Sequence, residues 1–487
     1  MISDGKLVLP GFHDSHLHLL ESASLIDMCI IDSQDDIDGI IDSLIGCNPE
    51  LINEDWIVGY GHSISSLFGN TKSPLIILDD IFPNNPAIIM ETTSHSHWVN
   101  SLALQKIMNN DTLTTSSGGF MGFVQNTTIP NGILYDNLGD VVMSIALASS
   151  LQTDNANYAG IPSGMNMLAS NGITSITEAR VFLDRNHHKL WQTAGSDDIL
   201  TGNVVLALYA YPHLDDSAQI NHLASLYNDS SNPRLTQIKM YVDGEFSHGT
   251  SKLINAYSND TNFTSTFGIN YFDEQRLTKY ITTLEKIGFD FHLHASGDRF
   301  VRDALNAIEN ARKINGDVGA RHKITHITLY HPDDVNRFAD LGVVADFQTS
   351  GFFALPDFEY EMIPLIGVDC LPYFSNPRSI HDTGAVTTLS SDWSVGSLDP
   401  FVGIENALSK NHKSMPDLDS VIRAYTINAA YSMRQDDTTG SLDVGKYADL
   451  LVLDVNIFDV PVSEISKTRV LFSMFQGDVI FVDDSWR

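Results

Sequence analysis

The stretch GFHDSHLHLL, running from Gly11 to Leu20, places histidines at positions 13, 16 and 18. Successive side chains of an extended strand point to opposite faces, so His16 and His18 project together and His13 projects away. Two imidazoles on one face can chelate a metal ion. The pattern alone is weak, because 18 histidines in 487 residues give about 0.7 H-x-H triplets by chance. The chain has such triplets at 16/18, 95/97 and 292/294, and the elements carrying them must decide which matter.

Short β-rich runs recur at 6–19, 172–179, 203–211, 237–244, 289–298, 321–329, 342–350 and 385–393. Between them lie patterns such as DEQRLTKYITTLEKIG and DRFVRDALNAIENARK, whose apolar residues recur at helical spacing. Strand and helix alternating eight times predict an α/β fold, a (β/α)8 TIM barrel. The interval 20–171 is too long for one helix and carries a Gly/Asn/Ser-rich stretch at 110–132, so it is expected to be a subdomain inserted over the barrel mouth. Its expected role is to cover the site and supply substrate contacts rather than to stand as an independent domain. The barrel with this insertion is expected to occupy 1–439, and 440–487, which alternates strand-like runs with turns, a small β appendage.

Barrel enzymes carry their reactive groups at the C-terminal ends of the strands. There the sequence places His16 and His18 (first strand), Lys239 (fourth), His294 (fifth), His326 (sixth) and Asp392 (eighth). Imidazoles with a carboxylate are the donors that zinc-like divalent ions prefer. Asp14, on the face of His16 and His18, is a candidate to orient an imidazole, and His292, on the face of His294, to support the ligands from behind.

Composition narrows the partners. Lys+Arg 28 against Asp+Glu 61 gives a net charge of −33, which repels nucleic acid and anionic membrane surfaces and leaves a small molecule as the expected substrate. Cys29, Cys47 and Cys370 lack CxxC spacing, which points to a reducing compartment rather than to disulfides. With no basic-then-apolar leader and no long apolar run, a cytoplasmic protein is expected.

The blocks PGFHDSHLHL, IKMYVDGEFSHGT, HLHASGDRFV, RHKITH, SSDWSVGSLDP and GSLDVGKYADLLVLD together resemble the signature of the amidohydrolase superfamily, specifically amidohydrolase family 3, which includes N-substituted formamide deformylases. The resemblance implies one or two divalent ions, most simply zinc. His16 and His18 would bind the more buried ion, with Asp392 touching it; His294 and His326 would bind the second, and a carboxylated Lys239 would bridge them. The apolar neighbours in QIKMYV favour the neutral, CO2-reactive amine that carboxylation requires. The implied reaction is hydrolysis of a C–N amide-type bond, with water activated by metal and Asp392 taking the proton and passing it to the leaving nitrogen; His95 and Asp298 are the alternative proton carriers. HSHWVNSLAL (95–104) resembles the family's segment over the site, so His95, Trp98 and Asn100 are expected to contact substrate, although Thr93-Ser94 replaces the usual Asp-Gly.

An ester or lactone hydrolase would use the same site. A deaminase would usually carry Glu where this chain has Gly297 and would lack Lys239, and a non-catalytic metal-binding scaffold would be expected to have lost a ligand. Relatives also carry more chain before GKLVLPGF that completes a β sandwich, so 440–484 is expected to form an incomplete sheet whose open edge invites self-association.

Overall fold

The computed structural model describes residues 5–24, 28–33, 35–47, 56–108, 118–148, 151–258, 266–351 and 354–486. Eight parallel strands form one sheet: β1 (Phe12–Leu17), β2 (Ile173–Val181), β3 (Asn203–Tyr209), β4 (Arg234–Tyr241), β5 (Asp290–Ala295), β6 (Lys323–His326), β7 (Val344–Gln348) and β8 (Thr387–Ser390). They neighbour one another in chain order. The ring nearly closes at its C-terminal end, where Asp392 N donates to His16 O at 2.9 Å and His18 N to Trp393 O at 2.7 Å. Strands such as β2 and β5 are buried along their whole length, as expected when both faces of a parallel sheet are covered. Helix Asp298–Asn315 shows why: Val301, Ala304, Leu305, Ile308 and Ala311 form one buried stripe, with Asp298 in the first turn and Arg312 and Lys313 in the last, as the helix dipole favours.

The run expected at 6–19 is two strands in two sheets. Leu7–Pro10 pairs antiparallel with Leu450–Leu453, and the chain then enters β1 after Pro10. Gly11 marks the crossing: a Cβ there would lie 2.2 Å from Thr174 Oγ1, so only glycine fits this close approach. The sheet holding Leu7–Pro10 continues through Leu450–Leu453 and Val470–Phe475 to Asp478–Val482, whose Val479 is 55% exposed at the edge.

Between β1 and β2 the chain builds a second sheet in the order Cys29–Ile30, Ile57–His62, Ala87–Glu91, Ser96–Val99, Pro130–Asp136, Gly119–Phe123. It has buried clusters of its own, one around Trp56, Ile88 and Leu134 and another around Ile40, Ile89 and Trp98. Of the turn-rich stretch at 110–132, residues up to 117 lie outside the described residues; beyond them, Gly119–Phe123 and Pro130–Asp136 pair as antiparallel strands. The cysteine expectation is overturned here. Cys29 and Cys47 form a disulfide across 18 positions, because helix Ile37–Gly46 returns the chain to the strand at Cys29, while Cys370 is free. Among the described residues, no helix is long and apolar enough to cross a membrane.

Candidate metal centre

His16 leaves β1 with its ring wedged between two sets of partners. On one side Nδ1 lies 2.9 Å from Thr325 Oγ1 and 3.0 Å from His292 Nε2. On the other side Nε2 lies 3.4 Å from Asp392 Oδ1, which is also 3.1 Å from His18 Nε2. The His326 ring centroid is 5.0 Å from that of His16 and 4.4 Å from that of His294. Donor atoms of His16, His326 and Asp392 all lie within 4.8 Å of one another, close enough to share an ion. His326 and Asp392 both have left-handed backbone, with φ of 73° and 55°, a conformation that costs energy and recurs at functional sites.

Electrostatics suit ligation. Burial holds His16, His294 and His326 well below the ordinary imidazole range, so the rings are uncharged at neutral pH. Burial works to raise Asp392, yet His16 and His18 beside it hold the carboxyl well below its usual range. Lys239 on β4 is fully buried, and burial lowers it to about 7. Its Nζ and the Nδ1 of His294 have no hydrogen-bond partner among the described residues. Buried polar atoms left unpaired among neutral imidazoles and an ionised carboxylate fit a divalent cation.

His16, His292 and Asp346 are equally close to one another. Asp346 is however already saturated, accepting from Ser15, Thr325, Gln348, Thr388 and Ser390. It works as a hub: Thr325 donates to it and in turn braces His16. Asp346 was missed at the sequence level, where its only signal was an acid inside an otherwise apolar strand. Glu21 was missed too. It sits one helical turn after His18, with Oε2 3.3 Å from His18 Nδ1, and is held by Arg180 in two bonds of 3.0 and 2.9 Å. Burial opposes its charge, but Arg180 brings the carboxyl down to about 2.

Four expected roles need correction. Asp14 orients no ring; its Oδ1 accepts the backbone N–H of His16 at 3.1 Å and of Ser391 at 3.3 Å, tying the ends of the first and last strands together. Asp298 accepts Ile254 N at 2.9 Å and so holds a loop. Trp98 is fully buried in the inserted sheet's own core, donating to Pro74 O at 2.7 Å. Asn100 caps the next helix, accepting from Ala87 and Ala103 backbone N–H while donating to Phe82 and Asn85 carbonyls. His95 is different. Its ring lies 5.1 Å from His294 and 5.7 Å from Tyr241, and Nδ1 is 2.8 Å from Asp136 Oδ1. The insertion thus brings one imidazole to the ligand cluster. Beside it an open cleft of about 1510 Å³, lined in part by Glu91, Thr93, Tyr135 and His248, runs between the insertion and the barrel loops.

Parallel strands thus gather neutral imidazoles, a buried amine and an ionised aspartate at one end, a donor set that could hold a divalent cation. The chain belongs to the amidohydrolase family, which it matches over residues 3–481. It is similar to the putative amidohydrolase YtcJ of Bacillus subtilis, 23% identical over 498 residues that cover 98% of this chain and 89% of that protein. N-substituted formamide deformylase of Arthrobacter pascens is 22% identical, with 97% of this chain and 88% of the relative covered. Among solved structures, an uncharacterized metal-dependent hydrolase from Pyrococcus horikoshii superposes with a TM-score of 0.71 at 20% identity, covering 94% of this chain and 88% of that one.

Proposed function

We propose that this chain is a zinc-type amidohydrolase on a (β/α)8 barrel, cleaving the C–N bond of an N-acyl or N-formyl small molecule. The observation that carries the reading is the cluster of His16, His18, Lys239, His294, His326 and Asp392, in a chain whose relatives include a named deformylase. These six residues would hold one or two ions. Such ions, when bound, lower the pKa of water towards 7 and polarise a carbonyl.

The remaining work falls to side chains. Asp392, kept ionised between two imidazoles, accepts the proton released as water attacks and hands it to the leaving nitrogen. Lys239, lowered to about 7, has a neutral fraction at neutral pH whose Nζ can add CO2, losing a proton and becoming an anionic carbamate suited to bridge two cations. His95, with Nδ1 held by Asp136 and its ring 5.1 Å from that of His294, would contact the substrate beside the ligands. Glu91 and His248, on the cleft wall, border the approach.

The test is a panel of N-formyl and N-acyl amines with their matched esters and lactones, assayed after chelation and after zinc is restored. Amide turnover that disappears with chelator and returns with zinc is expected. Turnover of esters or lactones alone would replace the amide reading, and no zinc-dependent turnover of any member would overturn the hydrolase.

A further inference from the structure

A second chamber, of about 310 Å³, lies under helix Asn137–Ala146 at the ends of β2 and β3. Its wall is aromatic: Phe182, Tyr209 and Tyr211 pack edge to face or tilted, with ring centroids 5.3, 4.9 and 6.5 Å apart. Two carboxylates face the same space, Asp140 and Asp184. Tyr209 lines it too and is fully buried. The chamber is one ring away from the metal ligands. Tyr209 packs on Tyr241 at 5.9 Å, and Tyr241 packs on His294 at 4.4 Å.

The charges decide what kind of ligand it takes. Arg180 and Arg185 stand behind the wall. Arg180 bonds Glu21 and the Tyr241 hydroxyl and also stands 3.9 Å from Asp140 Oδ1, so one guanidinium serves two carboxylates, and Arg185 lies over the Phe182 ring at 3.9 Å and donates to Ser144. Counting Asp140, Asp184 and Glu21 against these two guanidiniums leaves one negative charge. Burial raises Asp140 to about 6 against the pull of Arg180 and Arg185, so it remains largely ionised at neutral pH without full compensation. Aromatic faces and an undercompensated carboxylate together recognise an organic cation.

We infer that this chamber is a specificity pocket for an organic ammonium group with an apolar body, carried by the substrate at the end remote from the bond that is cut. The placement relative to the scissile bond rests on the hydrolytic reading above; the binding itself does not. The experiment is calorimetric titration of the zinc-loaded protein with phenethylammonium, phenethyl alcohol and phenylacetate. The ammonium compound is expected to bind most tightly, and Asp140→Asn to weaken it by about 10- to 100-fold, the range for a charge-assisted hydrogen bond. Val141→Phe, which fills the chamber and leaves both carboxylates in place, should abolish binding at unchanged unfolding temperature; it keeps the test decisive if Asp140→Asn fails to fold. Phenylacetate binding as tightly as the ammonium, affinities indifferent to both variants, or no binding at all, as from a chamber filled by water only, would each overturn the pocket. Ammonium binding in a protein that hydrolyses nothing would leave the pocket standing and remove the proposed reaction. Hydrolysis without ammonium preference would do the reverse.

Discussion

One oxygen of Asp392 reaches both His16 and His18, at 3.4 and 3.1 Å, whereas each imidazole offers only a ring nitrogen. Asp392→Asn therefore removes the proton acceptor but leaves five other donors in place, and it should keep much of the bound zinc. Turnover should fall by about 10²- to 10⁴-fold, the usual cost of losing a positioned general base. Metal content and rate measured on one preparation check this, and near-normal turnover would move the proton to His95. Lys239→Met should instead lower metal content together with rate, because it deletes a donor. The ligand candidates could be picked out because each lies within or close to the C-terminal end of a strand, a position a sequence can show. Trp98 and Asn100 were misjudged for a related reason. They adjoin His95 in sequence, but the strand Ser96–Val99 turns Trp98 into the insertion's own core, and which face of an inserted sheet meets the barrel is a tertiary fact. Asp346 and Glu21 were missed because the partners that give them their roles, Ser15, Thr325, Thr388 and Ser390 for the one and Arg180 for the other, lie far away in sequence.

At the scale of elements, the insertion reaches the barrel through a buried ion pair. His248, in the loop after β4, places Nε2 2.8 Å from Glu91 Oε2. Glu91 also accepts the hydroxyls of Thr93 and Ser96, on either side of His95. The pair thus fixes the turn that carries His95. Its pH dependence has two limbs. Glu91 is brought from 4.5 to about 2 by His248 against burial, so its contribution is complete above 4.5 and is lost as pH falls towards 2. His248 is raised above 6.5 by Glu91, burial opposing, so its contribution is complete below 6.5 and is lost as pH rises through the raised value. The stability advantage of the native protein over His248→Gln should be widest between those limits and should narrow as pH rises. Breaking one side of a buried pair costs about 3–5 kcal/mol, so the difference is readable in denaturant titrations. A gap that stays constant through the alkaline range would show that His248 carries no charge in the pair. The eight barrel strands were readable as β-rich runs between helical periods. The split at Pro10 and Gly11 was not, because the two strands follow one another with only Gly11 between them and it is their partners that differ.

At the scale of the whole molecule, one chain threads three sheets; the barrel and the small C-terminal sheet share a core, while the inserted sheet has buried clusters of its own and a covalent staple. Cys29 and Cys47 sit at the outer strand and at the end of the helix beside it, without a spacing motif; only packing of that helix brings them together. Their separation of 18 positions closes a loop of the size for which chain entropy predicts a stabilisation of about 3 kcal/mol. Because the staple lies in the insertion and the ligands are dominated by barrel strands, reduction should act unequally. Metal content should hold, while the insertion loosens and His95, which it carries, loses its place against His294. Protein prepared without reductant and then denatured should therefore titrate one thiol, Cys370, and all three of its cysteines after reduction. Reduction of the folded protein should lower the unfolding temperature and raise KM more than it lowers zinc occupancy. Three titratable thiols before any reductant is added would show that the staple does not form in the protein, and zinc lost in step with reduction would show that the inserted sheet and the barrel depend on each other more closely than their separate cores suggest.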